Sequence, residues 1–146
     1  MNTAEKIAHE WLQSRDATMS TDKFEGFPRW GTMRNSKIAG RGLFAAEFIH
    51  TLFVLGISHQ FVAPPINRLY HDGWMRRGWA ELYNHQPAGQ ANAVSLHFND
   101  SNILITDVSR MRYPKPGDCK VLVAICDILS GTEITAPYTL YDPSRV

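Results

Sequence analysis

The chain has 146 residues, 44% of them hydrophobic, and a formal net charge of +1. That length suits one domain with an ordinary core and a short appendage. The near-neutral charge gives no global case for nucleic acid or membrane binding, and no apolar run approaches the roughly 18 residues of a membrane span.

In chain order, Ala4, Ile7, Ala8, Trp11 and Leu12 recur at helical spacing, and Asn2 with Glu5 can form a capping box. This predicts a helix over 3–14. The polar stretch SRDATMSTDKFEG (14–26) reads as a linker, so residues 1–30 form an N-terminal helix and linker and 31–146 a second unit. Met1-Asn2-Thr3 leads straight into this mixed stretch without a secretory pattern, so the chain reads as intracellular and soluble.

Beyond residue 30 the pattern is that of strands. TLFVLG (51–56) and HQFVA (59–63) are short apolar runs bounded by Gly and Pro, and DGWMRRGWAELYN (72–84) reads as one or two helical turns. AVSLHF (93–98) and NILITDV (102–108) predict a hairpin around the turn NDSN. KVLVAIC (120–126) is nearly all apolar, as expected of a strand buried on both faces. LSGT (129–132) turns the chain into EITAPY (133–138). The expected fold class is therefore mainly β, with several short strands in small sheets and little helix.

The two cysteines, Cys119 and Cys126, cannot form a four-cysteine zinc site and read as buried free thiols in a reducing compartment. The basic residues Arg110, Arg112, Lys115 and Lys120 flank a Pro-Gly loop and read as a solvated surface.

Three stretches carry the chemistry. SKIAGRGLFA (36–45) contains Gly40-Arg41-Gly42; glycine permits positive φ and close approach of a ligand to the backbone. No G-x-G-x-x-G follows, so a Rossmann dinucleotide site is not expected. LYNHQPAGQANAV (82–94) sets Asn84 beside His85 and Asn92 before a strand. ICDILSGTEITAPY (125–138) brings Tyr138 to a strand end.

In this order and spacing the three stretches resemble the SET domain, the family of S-adenosylmethionine-dependent protein lysine methyltransferases. The resemblance covers about residues 33–141. It implies a SET fold with a knot-like C-terminal crossing and transfer of a methyl group from S-adenosylmethionine to the ε-amine of a protein lysine. Gly40, Arg41, Gly42, Asn84 and His85 would hold the cofactor, and Asn92 would pin the crossing. Tyr138 would orient the reaction, and Tyr83, Ala136 and Tyr141 would line the lysine channel. No metal is implied. Two departures stand out: Pro87 falls early in its loop, and Ala136-Pro137 stands where the family often has an aromatic residue and Asp. No cysteine follows Tyr138, so the remaining channel wall is expected from Tyr141, the N-terminal segment or a second copy in a homodimer. The implied partner is a protein substrate, with neither membrane nor nucleic acid contact.

Two other readings stay open. A non-catalytic binding module on the same fold accounts for the altered loop 86–91 and for Ala136. A metal-dependent β-barrel oxygenase could draw on six histidines with Asp100 and Asp107, though the usual His-x-Asp or His-x-Glu start is absent. On that count His59, His71 and His97 read as surface or packed side chains.

Overall fold

The computed structural model describes residues 1–14, 27–62, 73–76 and 78–137. Helix α1 (Thr3–Leu12) begins with the expected capping box: Asn2 Oδ1 accepts from the Glu5 N–H at 2.9 Å and Glu5 Oε1 from the Asn2 N–H at 2.7 Å. Such a cap is worth about 1 kcal/mol. Ala8 is fully buried and belongs to a cluster with Phe98, Cys119, Val121 and Val123, against which Trp11 and Leu12 also pack.

Strands β1 (Gly31–Asn35) and β2 (Arg41–Ala45) pair antiparallel across the turn 36–40. Ser36 closes that turn. Its N–H donates to Gly40 O at 2.8 Å, and its hydroxyl oxygen accepts from the Ile38 and Ala39 N–H groups at 2.9 and 3.3 Å. Gly40 sits at φ +47°, a conformation other residues adopt at a cost.

The main sheet has four antiparallel strands. β3 (Val54–Phe61) pairs with β4 (Trp74–Arg76) on one side and with β7 (Cys119–Ala124) on the other, and β7 pairs with β6 (Ala93–Phe98). All six residues of β7 are buried, which explains its apolar run. Side chains alternate across a strand. Cys119, Val121 and Val123 face α1, while Leu122 and Ala124 join a second cluster with Trp30, Leu43, Leu55, Trp79, Tyr83, Ile134 and Ala136. That second cluster is the floor under the candidate site. Between β4 and the next strand lies a 3₁₀ turn, Gly78–Glu81, which buries Trp79 and Ala80.

A third, two-stranded sheet joins distant parts of the chain. β5 (Asn84–His85) runs parallel to β8 (Thr135–Ala136), with Asn84 opposite Thr135 and His85 opposite Ala136.

Several sequence expectations need correction. The runs 51–56 and 59–63 are one strand, β3, because Gly56 (φ +137°) is taken up where the β3–β7 register shifts and does not end the strand. Residues 72–84 supply a strand and a 3₁₀ turn rather than helix alone. The 93–98 and 102–108 hairpin is shorter than expected: it is held by the Asn99 N–H to Ile103 O bond at 2.9 Å, the Ile105 N–H to His97 O bond at 2.8 Å and the bridge Phe98–Leu104. On its other edge β6 pairs along its whole length with β7, and Asp107 caps an unforeseen helix, α2 (Val108–Arg112). Cys126 lies beyond the end of β7 and is exposed; only Cys119 is buried. Among the described residues no helix is long and apolar enough to cross a membrane.

Candidate functional site

Three segments meet at the open end of the second cluster: the turn 36–42, the strand β5 and the approach to β8. Asn84 ties them together. Its Nδ2 donates to Glu133 Oε2 at 2.8 Å, Ser36 Oγ at 3.0 Å and Ala39 O at 3.2 Å. The Ser36 hydroxyl lies 2.7 and 2.9 Å from the two oxygens of Glu133. A carboxylate only accepts, so the hydroxyl proton is committed to Glu133, and the Ser36 lone pairs receive Asn84 and the backbone. Asn84 is half-buried, and its Oδ1 has no partner among the described residues.

Gly42 has a definite packing reason. A Cβ there would lie 2.9 Å from Glu133 Cδ and 3.1 Å from Ser36 Cβ. The missing side chain makes room for the carboxylate. Glu133 is itself half-buried and makes no ion pair with any Lys or Arg among the described residues.

Asn92 fastens the crossing. Its Nδ2 donates to Glu133 O at 2.8 Å and its Oδ1 accepts from the Thr135 N–H at 2.9 Å. The Thr135 hydroxyl donates to Gln86 Oε1 at 2.8 Å, adding a tie between the loop 86–91 and β8.

The residues expected at the site divide into three groups. Gly40, Gly42 and Asn84 are brought together, with His85 beside Ala136 through the β5–β8 pairing. Arg41 is exposed, and its guanidinium lies 3.7 Å from the Met33 sulfur, apart from the Asn84 network. Tyr83 and Ala136 are both buried in the second cluster, Ala136 completely. Tyr138 and Tyr141 lie outside the described residues. Ser36 and Glu133 were quoted within the sequence motifs but given no role. The available signal was a lone carboxylate just before the apolar Ile134, with a hydroxyl opening the glycine turn.

A second polar group lies beneath the main sheet's Trp74. His59, Lys120 and His97 stand in register across β3, β7 and β6. The Lys120 ammonium lies 4.7 Å from the Trp74 ring centre, so this lysine is buried and not part of a solvated loop. His97 Nε2 lies 2.9 Å from Asp118 Oδ2, and Arg110 grips the same carboxylate through both oxygens at 2.8 and 3.0 Å. Burial lowers the His97 pKa despite Asp118 beside it. Burial alone would raise that of Asp118, but hydrogen bonds from Arg110, His97 and the Lys115 N–H outweigh it and leave it lowered. Burial drives the Cys119 thiol up to about 11. His59 and His97 are packed, and His71 lies outside the described residues. No three His, Cys, Asp or Glu side chains among the described residues converge as a metal set.

Small sheets, the glycine turn and an Asn-His strand laid parallel to a C-terminal segment define a fold of the SET-like methyltransferase type. Comparison with solved structures agrees. A provisionally named histone methyltransferase from Plasmodium falciparum superposes with a TM-score of 0.51 at 19% identity, covering 77% of this chain and 95% of that one. At that identity the likeness shows the fold alone. The methyltransferase domain of human PR domain-containing protein 2 covers 84% of this chain and 93% of its own at 12% identity, but its TM-score of 0.46 carries no argument. No family model matches the sequence, and no curated protein matches it.

Proposed function

We propose that this chain transfers a methyl group from S-adenosylmethionine to the ε-amine of a protein lysine. The observation that carries the proposal is the Asn84 carboxamide, fixed nitrogen-inward at the junction of the glycine turn, β5 and β8. Its oxygen, which has no partner among the described residues, is an acceptor beside the apolar second cluster, which suits the ammonium end of an amino-acid ligand. The backbone of Gly40–Gly42 and the His85 strand would hold the remainder. When bound, the cofactor supplies an electrophilic methyl group on a sulfonium.

The chain's own task is then to present a neutral amine. A free lysine at pH 7 holds its proton by about 4–5 kcal/mol, and a channel that strips water from the ammonium lowers that cost. Holding the amine in line supplies the rest by proximity. Tyr138, next after Pro137, is proposed to orient the amine through its hydroxyl. The basic Arg112 and Lys115, both exposed, suit an acidic face on the protein substrate.

The test is calorimetric titration of S-adenosylmethionine and S-adenosylhomocysteine, followed by incubation of the labelled cofactor with lysate proteins. Failure of the folded chain to bind either ligand ends the proposal. Binding without any labelled protein favours a non-catalytic module on the same fold. With a substrate in hand, Tyr138→Phe is expected to cut turnover at least about tenfold, some 1.4 kcal/mol of barrier, with little change in cofactor affinity.

A further inference from the structure

Glu133 is the half-buried carboxylate that three chain segments enclose. Gly42 leaves space for it, the Ser36 hydroxyl and the Asn84 amide donate to it, and no cationic side chain among the described residues pairs with it. Both donors are neutral, so its charge is hydrogen-bonded but not balanced. An asparagine carboxamide can turn over and exchange oxygen for nitrogen at little cost unless its neighbours choose. Here two acceptor-only groups make the choice, the Ala39 carbonyl at 3.2 Å and the Glu133 carboxylate at 2.8 Å. Because the carboxylate can only accept, it takes the Ser36 proton; Ser36 can then only accept from Asn84; the Asn84 nitrogen must face inward and its oxygen outward.

We infer that Glu133 is a positioning and selectivity residue of the candidate cofactor site. It shares with the Ala39 carbonyl in fixing the direction of the Ser36–Asn84 hydrogen bonds, and it alone supplies a negative charge that favours a ligand bearing an ammonium group. This deepens the methyl-transfer reading and rests on it. A glutamine at 133 keeps the size but removes both properties. Its amide can donate to Ser36 or Asn84, which leaves the Ala39 carbonyl alone to orient the Asn84 amide, and the charge is gone.

The experiment compares S-adenosylhomocysteine with its desamino analogue, which lacks only the amine, by calorimetry on the full chain. Wild type is expected to prefer the amine-bearing ligand by at least about tenfold, as for a charge-assisted contact. In Glu133→Gln the preference is expected to collapse to about twofold or less, because affinity for the desamino analogue holds while that for S-adenosylhomocysteine falls. Glu133→Asp, which keeps the charge but withdraws it by one methylene, is expected to restore part of the preference. Equal loss of both ligands in Glu133→Gln marks a purely structural role and overturns the inference, as does an unchanged preference. If that variant does not fold, Glu133→Asp decides: it keeps the charge but draws it back from Asn84, so a preference reduced below wild type, with affinity for the desamino analogue held, supports the idea, and an unchanged preference overturns it. A wild type that binds neither ligand removes the methyl-transfer reading itself, whereas binding with an unaffected Glu133→Gln removes only this inference.

Discussion

Gly42 and Glu133 compete for one volume: a Cβ on the glycine would sit 2.9 Å from the glutamate Cδ. Gly42→Ala therefore pushes at the end of a flexible side chain rather than at backbone. The expected cost to stability is modest, about 1–2 kcal/mol of overpacking, read as a fall in Tm. Ligand binding is expected to suffer more than stability, because the displaced carboxylate leaves Asn84. If affinity for S-adenosylhomocysteine is unchanged in Gly42→Ala, the glycine is not needed for this contact.

Asn92→Ala is expected to destabilise the chain by about 2–3 kcal/mol. Two partners lose their bonds at once, Glu133 O and the Thr135 N–H, and an unsatisfied group costs more than an average hydrogen bond. Chemical denaturation followed by circular dichroism measures it. A loss below about 0.5 kcal/mol, typical of an uncoupled surface position, would show that the crossing does not depend on this side chain.

Much of this was legible in the sequence, and the remainder follows a physical rule. The Asn2–Glu5 cap and the doubly buried β7 are written in local pattern: one as a three-residue spacing, the other as an unbroken apolar run. The expected hairpin forms as a short one, joined by Asn99 N–H to Ile103 O, Ile105 N–H to His97 O and the Phe98–Leu104 bridge. Asn99 Oδ1 accepts from the Ser101 and Ile103 N–H groups and Asn102 adopts φ +62°, which makes a real turn. The other edge of β6 pairs with β7 along its whole length, and the second arm leaves the sheet at Asp107, which caps α2. At the candidate site Asn84 was found from its motif, but its partners were not. Ser36 and Glu133 are 97 residues apart, and no local pattern encodes that meeting.

Acid is expected to destabilise the chain in two stages. His97 and Asp118 both have native pKa values below their ordinary ones, 6.5 and 3.8. The native state thus binds fewer protons than the unfolded chain, and stability rises with pH. His97 contributes stability that is present above about pH 6.5 and is lost as pH falls toward its lowered value. Asp118 contributes stability that is fully present above about pH 3.8 and is lost as pH falls from there toward its lowered value. The geometry agrees, since His97 Nδ1 has no hydrogen-bond partner among the described residues, and protonating it would bury an N–H donor without an acceptor. Asp118→Asn should flatten the lower stage and cost about 2–3 kcal/mol at neutral pH, because Arg110 loses a buried partner. Urea midpoints across pH 3–8 give the profile, and a flat profile contradicts this account.

The two thiols should react at very different rates. Cys126 is exposed; Cys119 is buried, with its pKa raised to about 11. Near pH 8 a thiol of that pKa is ionised to roughly one part in a thousand. A thiol-specific reagent is expected to modify one equivalent quickly, and the second only after denaturant is added. Rapid modification of both in the native protein would contradict the burial of Cys119.

The parallel pairing of β5 with β8 also bears on the order in which the molecule assembles. The junction it belongs to also joins Ser36 to Glu133 across 97 residues, against 69 for Val54 and Val123 in the β3–β7 pairing of the main sheet. Each closure costs chain entropy before any contact rewards it, and distant pairings are the slow part of folding. Affinity for ligand should accordingly be the last property to return in a refolding experiment, after α1 and the main sheet have recovered their circular dichroism. A ligand that recognises this junction then acts as a reporter of completed folding, and by mass action it protects only chains that have reached the end of the pathway.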